Sequence, residues 1–198
     1  MIKQYIESVI DHFSDAHAEL LKGISRKKIL EKDALPLEEG KYCNYLWFLE
    51  EGAIKAYESI DGVDRVTFFY TPNNFFSNYY CWVTGDKSDI TYQAVERCQV
   101  IEIDYHKLEA LCVKHHIFDR IGRKIAQKLF VQEVQLRKLL LNYTAAHRYE
   151  FLENNHPEIF QHFALKDIAS FIGITDVSLS RIRRERIRNQ RANLSYVK

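Results

Sequence analysis

The segment LKDIASFIGITDVSLSRIRRERIR, residues 165–188, restricts the local fold of the chain more than any other part of the sequence. Two helices that cross steeply need a small residue at their contact, and Ala169 meets that need. Gly173, four positions later, suits a turn with a left-handed backbone. Thr175 suits the N-cap of the second helix, because its hydroxyl can accept a hydrogen bond from a free backbone N–H group. The spacing predicts a helix-turn-helix whose packing faces consist of Ile168, Ile172, Ile174, Leu179 and Ile182.

Positive charge is concentrated at the end of the chain. Residues 178–198 contain six Arg and one Lys against a single Glu, a net charge of +6, whereas the whole chain carries +1 and the first 177 residues therefore carry −5. A basic helix presented by such a turn suits the DNA major groove, and the alternative is an ordinary helix pair with a solvated basic face. The residues predicted to contact DNA are Lys166, Thr175, Asp176, Val177, Ser178, Ser180, Arg181, Arg184 and Arg188.

Composition excludes several classes of protein. With 46% hydrophobic residues among 198, the chain is too apolar to be disordered, and no apolar run is long enough to span a membrane. The N-terminal residues lack the apolar core of a signal peptide, so we expect a cytoplasmic protein. Cys43, Cys81, Cys98 and Cys112 are scattered without a CxxC pair, which favours free thiols. We expect no metal and no cofactor.

The hydrophobic period changes along the chain and predicts an α+β fold. Residues 1–32 have helical spacing, and residues 34–103 contain short strand-like runs separated by turn signals. Asp61 and Gly62 predict a hairpin between AIKAYES and RVTFFYT. Many short strands of this kind predict a single antiparallel β-roll with flanking helices.

Helical spacing returns at Tyr105. Asp104 is a suitable N-cap for residues 105–114, and a longer helix is predicted over residues 117–142. Such a helix packs on its own roll or on the same helix of a second chain, and we favour a homodimer. The predicted dimer interface consists of Phe118, Ile121, Ile125, Leu129, Gln132 and Leu136.

The predicted domains are a sensor domain over 1–115, a central dimerisation helix over 116–142 and a helix-turn-helix domain over 143–198.

This order of a β-roll, a long helix and a terminal helix-turn-helix resembles the cyclic-AMP receptor protein/FNR (Crp/Fnr) family of bacterial transcription regulators. The resemblance covers nearly the whole chain and is strongest in the helix-turn-helix and in the hairpin segment GAIKAYESIDGVDRVTFFYTPNNFF. It implies a roll that senses a signal, a helix that dimerises and a last domain that binds a pseudo-palindromic operator. It also implies double-stranded DNA and RNA polymerase as partners.

The sequence departs from this family where its members bind cyclic nucleotides. Those members carry a Gly-Glu pair, whose Glu holds the ribose, and an Arg-Ser pair, whose Arg neutralises the phosphate. A gapless alignment places Ser77 and Asn78 at the first pair, and Ser88 and Asp89 at the second. An aspartate there would repel a phosphate, so we expect cyclic AMP not to be the effector. The candidates for lining a pocket for an unknown small molecule are Phe76, Ser77, Asn78, Tyr79, Tyr80, Ser88 and Asp89.

The aromatic run at Tyr79 and Tyr80, continued by Cys81 and Trp82, offers two alternatives. These side chains either fill the vacated pocket or line a pocket for an apolar ligand.

A second departure lies in the basic helix, where nucleotide-binding relatives often begin with Arg-Glu and this chain has Asp176 and Val177. The later arginine of the family keeps a match in Arg181, the candidate for a bidentate contact to guanine.

Other functions fit the residues less well. Cupin-type metalloenzymes need several histidines inside the barrel, and none occurs between His17 and His106. The sequence also lacks the common nucleophile, zinc and nucleotide-binding motifs, so no enzyme activity is expected. An iron–sulfur cluster needs clustered N-terminal cysteines, which are lacking, whereas a haem ligand stays open because histidines are available beyond the roll. The alternative function is a ligand-sensing signalling module that acts through protein partners instead of DNA.

Overall fold

The chain divides into two compact units, Met1–Leu136 and Arg137–Lys198, and the division falls within one long helix. The computed structural model describes the backbone of residues 1–195 and the side chains of residues 1–188. Among these residues, no helix is both long and apolar enough to cross a lipid bilayer.

The first unit begins with helices, continues as strands and ends in helices. Helices α1 (Ile2–Val9) and α2 (Asp15–Gly23) come first. The strands are β1 (Ser25–Leu30), β2 (Tyr45–Glu51), β3 (Ile54–Ile60), β4 (Val63–Tyr70), β5 (Asn74–Phe76), β6 (Thr91–Ala94) and β7 (Cys98–Asp104). Helix α3 (Tyr79–Thr84) lies between β5 and β6, and α4 (Tyr105–Lys114) and α5 (His116–Asn142) follow β7.

The strands form two antiparallel sheets with the orders β1-β7-β2-β5 and β4-β3-β6. Strands β2 and β7 are buried on both faces, so alternate side chains enter two different cores. Trp47 and Val100 belong to the core that also contains residues of the second sheet. Phe48 and Ile101 belong to a core shared with helices α1, α2 and α5. The predicted antiparallel β-roll is therefore confirmed, as two facing sheets.

The hairpin predicted at Asp61 and Gly62 joins β3 to β4. The two residues have φ values of +54° and +76°, and positive φ at both positions is the mark of a type I′ turn, whose twist matches that of two antiparallel strands. Beyond the turn, Ile60 pairs with Val63. The local sequence is sufficient to predict this turn, because few residues tolerate positive φ.

Residues 25–30 form a strand, whereas the spacing of residues 1–32 predicts only helices. Strand β1 pairs with β7 along its whole length, from Ser25 opposite Ile103 to Leu30 opposite Cys98. The side chains at positions 26–29 are all exposed, so the strand has no alternating apolar pattern. Its conformation depends on backbone hydrogen bonds to a segment far along the chain, which overrides local preference.

The helices predicted after the roll are present. The Lys107 N–H donates to Asp104 Oδ1 at 3.0 Å, so Asp104 caps α4 as predicted. Helix α5 covers the predicted span and begins one residue earlier. Phe118 and Ile121, however, were expected at the dimer interface and are only 3% and 7% exposed. They pack into the core beneath the first sheet, which leaves them almost no surface to offer a second chain.

The second unit contains the end of α5 and four described helices. These are α6 (Ala145–Asn155), α7 (Ile159–His162), α8 (Leu165–Phe171) and α9 (Asp176–Ser195). Helix α7 contacts α8, and α8 contacts α9. The buried apolar side chains of these helices and their connections are Tyr149, Leu152, Ile159, Phe163, Ile168, Ala169, Ile172 and Leu179.

We expect Gly52→Ala to destabilise the roll more than Gly40→Ala does. Both glycines have positive φ, +87° and +78°, which costs about 1–2 kcal/mol for alanine. At Gly52 the added Cβ would also lie 2.6 Å from Cys98 Sγ and 2.7 Å from the Arg97 carbonyl oxygen, whereas nothing lies within 4 Å at Gly40. The clash should cost roughly 1–3 kcal/mol more. Urea unfolding followed by tryptophan fluorescence measures the difference, and equal losses would contradict it.

Candidate nucleic-acid interface

The turn between α8 and α9 has the geometry that its sequence predicts. Gly173 has φ +71°, and its N–H donates to the Ser170 carbonyl at 3.0 Å. The Ile174 N–H donates to the Ala169 carbonyl at 2.9 Å, and Ala169 is completely buried. A left-handed glycine and a small residue therefore allow α8 and α9 to approach closely. The direction in which α9 leaves the turn depends on these residues.

Helix α9 begins with a capped first turn. The Ser178 N–H donates to Thr175 Oγ1 at 3.2 Å, and the two hydroxyl oxygens lie 3.0 Å apart. The predicted cap is therefore present, and the Ser178 hydroxyl is already engaged. Leu179 is only 1% exposed, so one face of α9 is turned into the unit.

The opposite face of α9 is an exposed stripe. Val177, Arg181, Arg184 and Arg188 are all exposed and follow one another at intervals of four, three and four residues, which places them in one row on a helix. Among the described residues, Arg181 and Arg188 have no hydrogen-bond or ion-pair partner, and Arg184 Nε donates only to the Ser180 carbonyl at 3.3 Å. This row, the arginine stripe, is a cationic surface whose arginines have no acidic partner among the described residues.

The structure brings most of the predicted DNA contacts to the surface of α9 and its turn. The exposed members of the predicted set are Lys166, Thr175, Asp176, Val177, Ser180, Arg181, Arg184 and Arg188. Ser178 is half-buried because it packs against its cap. All of them except Lys166 lie on α9 or at its N-cap, and Lys166 lies in the first turn of α8.

Two other arginines of α9 face α6 instead. Arg186 lies 3.3 Å from Glu150 Oε1 and 2.8 Å from Glu153 Oε2, with its guanidinium over the Tyr149 ring. Burial raises the pKa of Tyr149, and the nearby positive charge of Arg183 opposes that shift. By sequence alone, both arginines belong to one basic helix. The Glu150 and Glu153 pair, three residues apart on α6, is the signal that could have shown otherwise.

Arg148 connects the end of α5 to the turn before α9. Its Nη1 donates to the Leu140 carbonyl at 3.3 Å, and the same atom is the nearest neighbour, at 3.7 Å, of a Cβ placed on Gly173. Its Nε is buried without a hydrogen-bond partner among the described residues. The guanidinium therefore lies beside the turn, and sequence reasoning did not single it out.

Several of the candidate pocket residues in the roll are hydrogen-bonded to one another. Asn78 Nδ2 donates to Ser88 Oγ at 2.9 Å and to Asp89 Oδ1 at 2.8 Å, and Asn78 Oδ1 accepts the Tyr80 N–H. Ser77 Oγ donates to the Tyr45 carbonyl at 2.9 Å. The structure thus brings together the two residue pairs aligned with the family's nucleotide-binding positions. Asn78 and Ser88 are buried with hydrogen bonds inside the protein, Asp89 is exposed and is paired with Asn78 through Oδ1, and no cation is among these residues.

The interior of the roll is filled by aromatic side chains. Phe76 stacks on Trp47 with ring centroids 5.4 Å apart, and Tyr92 meets both rings edge-on. Tyr70 and Tyr92 are hydrogen-bonded to each other, and burial raises the pKa of Tyr70 to about 12. Such an environment disfavours an anion.

The aromatic run of α3 does not fill this interior as one alternative had it. Tyr79 and Tyr80 are exposed. Trp82 donates to the Cys43 carbonyl at 2.8 Å and stacks on Tyr105, with ring centroids 4.1 Å apart. Only Cys81 of the run is buried. Tyr79 and Tyr80 thus face outward, whereas Trp82 is partly buried and packs against the core of the roll.

A buried carboxylate that the sequence analysis did not identify lies at the edge of the interior. Glu102 accepts hydrogen bonds from Arg26 Nε at 2.7 Å, Trp47 Nε1 at 3.1 Å and Lys28 Nζ at 3.2 Å. Burial alone would raise the pKa of Glu102, but these donors outweigh burial and hold the pKa below its ordinary value. The Glu102 carboxylate therefore links β7 to β1 and β2.

No cluster of three or more potential metal ligands occurs among the described residues.

Comparison with known proteins identifies the roll. Residues 27–115 match the family model of the cyclic nucleotide-binding domain. This stretch of the chain is therefore similar in sequence to cyclic nucleotide-binding domains. The match covers the sheets, α3 and α4 and ends where α5 begins. No curated protein sequence matches the chain.

Solved structures extend the likeness beyond this cyclic nucleotide-binding domain. A mutant of CooA from Carboxydothermus hydrogenoformans is 16% identical with a TM-score of 0.69, covering 87% of this chain and 80% of that chain. The c-di-GMP-responsive global regulator CLP of Xanthomonas campestris is 14% identical with a TM-score of 0.70, covering 89% and 93%. A protein of the crp/fnr family from Eubacterium rectale is 13% identical with a TM-score of 0.68, covering 87% and 83%. The fold is therefore that of Crp/Fnr proteins, as the resemblance implied.

Arg186→Met should destabilise the second unit, whereas Arg184→Met should leave it nearly unchanged. Methionine keeps the apolar stem but removes the charge held by Glu150 and Glu153, a loss of about 0.5–1.5 kcal/mol for a half-buried pair. Arg184 is exposed and has no carboxylate partner among the described residues. Hydrogen exchange of the amides of α6 and α9 measures the local stability. Equal protection in the two variants would contradict the division of the arginines.

Proposed function

We propose that this chain is a transcription regulator of the Crp/Fnr type, which binds a pseudo-palindromic operator as a homodimer. In this proposal α8 and α9 form a helix-turn-helix, and α9 is the helix that enters the major groove. The observation that carries the proposal is the arginine stripe, three exposed arginines in one row on a helix whose other face is held by Leu179 and Arg186.

The distribution of charge supports DNA over a protein partner. Arg181 lies one turn into α9, at the depth where a side chain of a recognition helix meets base edges. Arg188 lies about two turns further along and suits a phosphate, which positions a protein without specifying sequence. The remainder of the chain is mildly acidic, so the stripe is the surface that attracts a polyanion. A signalling module acting only on proteins would not need this concentration of arginine.

The exposed apolar side chains of α5 support the homodimer. Phe130 is 70% exposed, and Val131 and Val134 are also exposed. We propose that these three form the centre of the interface in place of the buried Phe118 and Ile121. By helical periodicity they lie on the face of α5 opposite Ile125, Leu129, Gln132 and Leu136, the rest of the predicted set, which share the face of Phe118 and Ile121. A row of apolar residues on one long helix favours pairing with the same helix of a second chain, since that buries both rows.

The effector is proposed to be something other than a cyclic nucleotide. The phosphate of such a ligand requires a cation, and the aligned positions hold Asn78, Ser88 and Asp89 in a closed hydrogen-bond network. Asp89 would repel a phosphate. The aromatic interior around Trp47 and Tyr92 suits a neutral ligand better. No enzyme activity is proposed, and RNA polymerase is the expected protein partner of the bound regulator.

Arg181→Ala and Arg188→Ala should weaken DNA binding in different ways. A cognate duplex is first selected from a random pool with the wild-type protein. Arg181→Ala should cost about 1–3 kcal/mol on that duplex and leave binding to a scrambled duplex nearly intact. Arg188→Ala should weaken both duplexes alike and reduce the slope of log K against log salt by about one. Fluorescence anisotropy over a salt series measures both quantities.

The outcomes separate the proposed roles from each other and from the alternative function. Equal weakening of both duplexes by Arg181→Ala would make Arg181 a phosphate contact. Absence of any salt-dependent DNA binding by the wild-type protein would overturn the proposal in favour of a protein-binding signalling module.

Phe130→Glu should convert the dimer into a monomer. A glutamate in the centre of a pair of apolar rows would be buried without a partner, whereas in the free chain position 130 is exposed and the substitution leaves the fold intact. Val113→Glu, at an 84% exposed position on α4, is the matched control. Sedimentation should give the monomer mass of 23.5 kDa for Phe130→Glu and twice that mass for the control and the wild type. A dimer that survives Phe130→Glu would place the interface elsewhere.

A further inference from the structure

Val177 occupies an unusual place on α9. It lies in the first turn, is 77% exposed and begins the row that continues with Arg181, Arg184 and Arg188. A single exposed valine on a protein surface needs no explanation. This valine, however, is the apolar end of an otherwise cationic stripe, and the buried Leu179 determines the rotation of the helix that turns it outward.

Among the side chains at the N-terminal end of the arginine stripe, Val177 is the one most available to contact a ligand. The Ser178 hydroxyl is engaged by Thr175 at the cap. Ser180 is exposed and offers a hydroxyl beside the stripe. Asp176 is exposed and carries a charge that a phosphate would repel. The first member of the stripe itself therefore presents two methyl groups and no polar group to a groove.

The major groove of DNA contains one kind of apolar group on its base edges, the 5-methyl group of thymine. The residues near the N-terminus of a recognition helix are those that contact base edges. Val177 has no donor or acceptor, so it cannot distinguish bases by hydrogen bonds. Contact with a methyl group is the only sequence-dependent interaction that its side chain can make with a base edge.

We propose that Val177 is a specificity-determining residue that packs against the 5-methyl group of a thymine in each half-site of the operator. The inference rests on the proposed function and adds a chemical identity to one operator position. Arg181 lies four residues further along α9, about 6 Å on a helix. Since stacked base pairs are about 3.4 Å apart, the thymine lies one or two base pairs from the base that Arg181 contacts.

The methyl groups of this contact can be removed separately from the DNA and from the protein. Deoxyuridine pairs as thymidine does but lacks the 5-methyl group, so each thymine of the selected duplex is replaced in turn by deoxyuridine. On the protein, Val177→Ala removes two methyl groups from an exposed helical position, where alanine is the better helix former. The variant therefore keeps its fold, and circular dichroism verifies this.

In the wild-type protein, deoxyuridine at one thymine of a single half-site should weaken binding about fourfold, the change that burial of one methyl group produces. Substitution in both half-sites should weaken binding about sixteenfold, because the two contacts are independent. In Val177→Ala, the same substitutions should change affinity by less than about twofold. Val113→Ala, which removes the same two methyl groups at an 84% exposed position of α4, should keep the full sensitivity to deoxyuridine.

Two results would overturn the inference, and they have different meanings. If a cognate duplex is selected and depends on Arg181, but no deoxyuridine position distinguishes the wild type from Val177→Ala, then Val177 does not contact a thymine methyl group and the proposed function stands. If the wild-type protein selects no sequence from the random pool, both the inference and the proposed function fail.

Discussion

The presentation of α9 depends on a close contact at the turn before it. Ala169 is completely buried and has no side chain beyond Cβ, and Gly173 adopts a left-handed backbone at φ +71°, so the chain turns directly from α8 into α9. Leu179 then enters the unit, and the rotation of α9 about its own axis follows from that one buried side chain. The arginine stripe faces outward because Leu179 faces inward. A larger side chain at the completely buried Ala169 would displace its neighbours, whereas alanine at Gly173 would be strained by the positive φ.

The same residue type has two roles on α9 because the helix has two environments. Arg186 lies among Glu150, Glu153 and the Tyr149 ring, where its charge is neutralised and its stem packs. Arg181 has no such neighbours among the described residues. A count of arginines therefore overstates the charge available to a ligand, and the arrangement of α6 decides which arginines remain free.

The roll keeps the fold of the cyclic nucleotide-binding domain family while its polar groups are satisfied from within. Asn78 spans Ser88 and Asp89, and Glu102 is held by Arg26, Trp47 and Lys28. A buried polar group is stable only when it is paired, and here the protein supplies the partners itself. A family fold therefore does not identify the ligand, since the ligand depends on a few side chains that the fold can exchange.

The sequence by itself determined the features whose causes are local. The hairpin at Asp61 and Gly62, the turn at Gly173, the caps at Asp104 and Thr175 and the span of α5 follow from backbone preferences and spacing over a few residues. Only the tertiary structure decided that residues 25–30 form a strand, that Phe118 and Ile121 enter the core, that Tyr79 and Tyr80 turn outward and that Arg186 faces α6. Each of these depends on a segment distant in sequence. Local preference is too weak to specify such contacts, because strand pairing and the choice of buried face are set by what packs against the element.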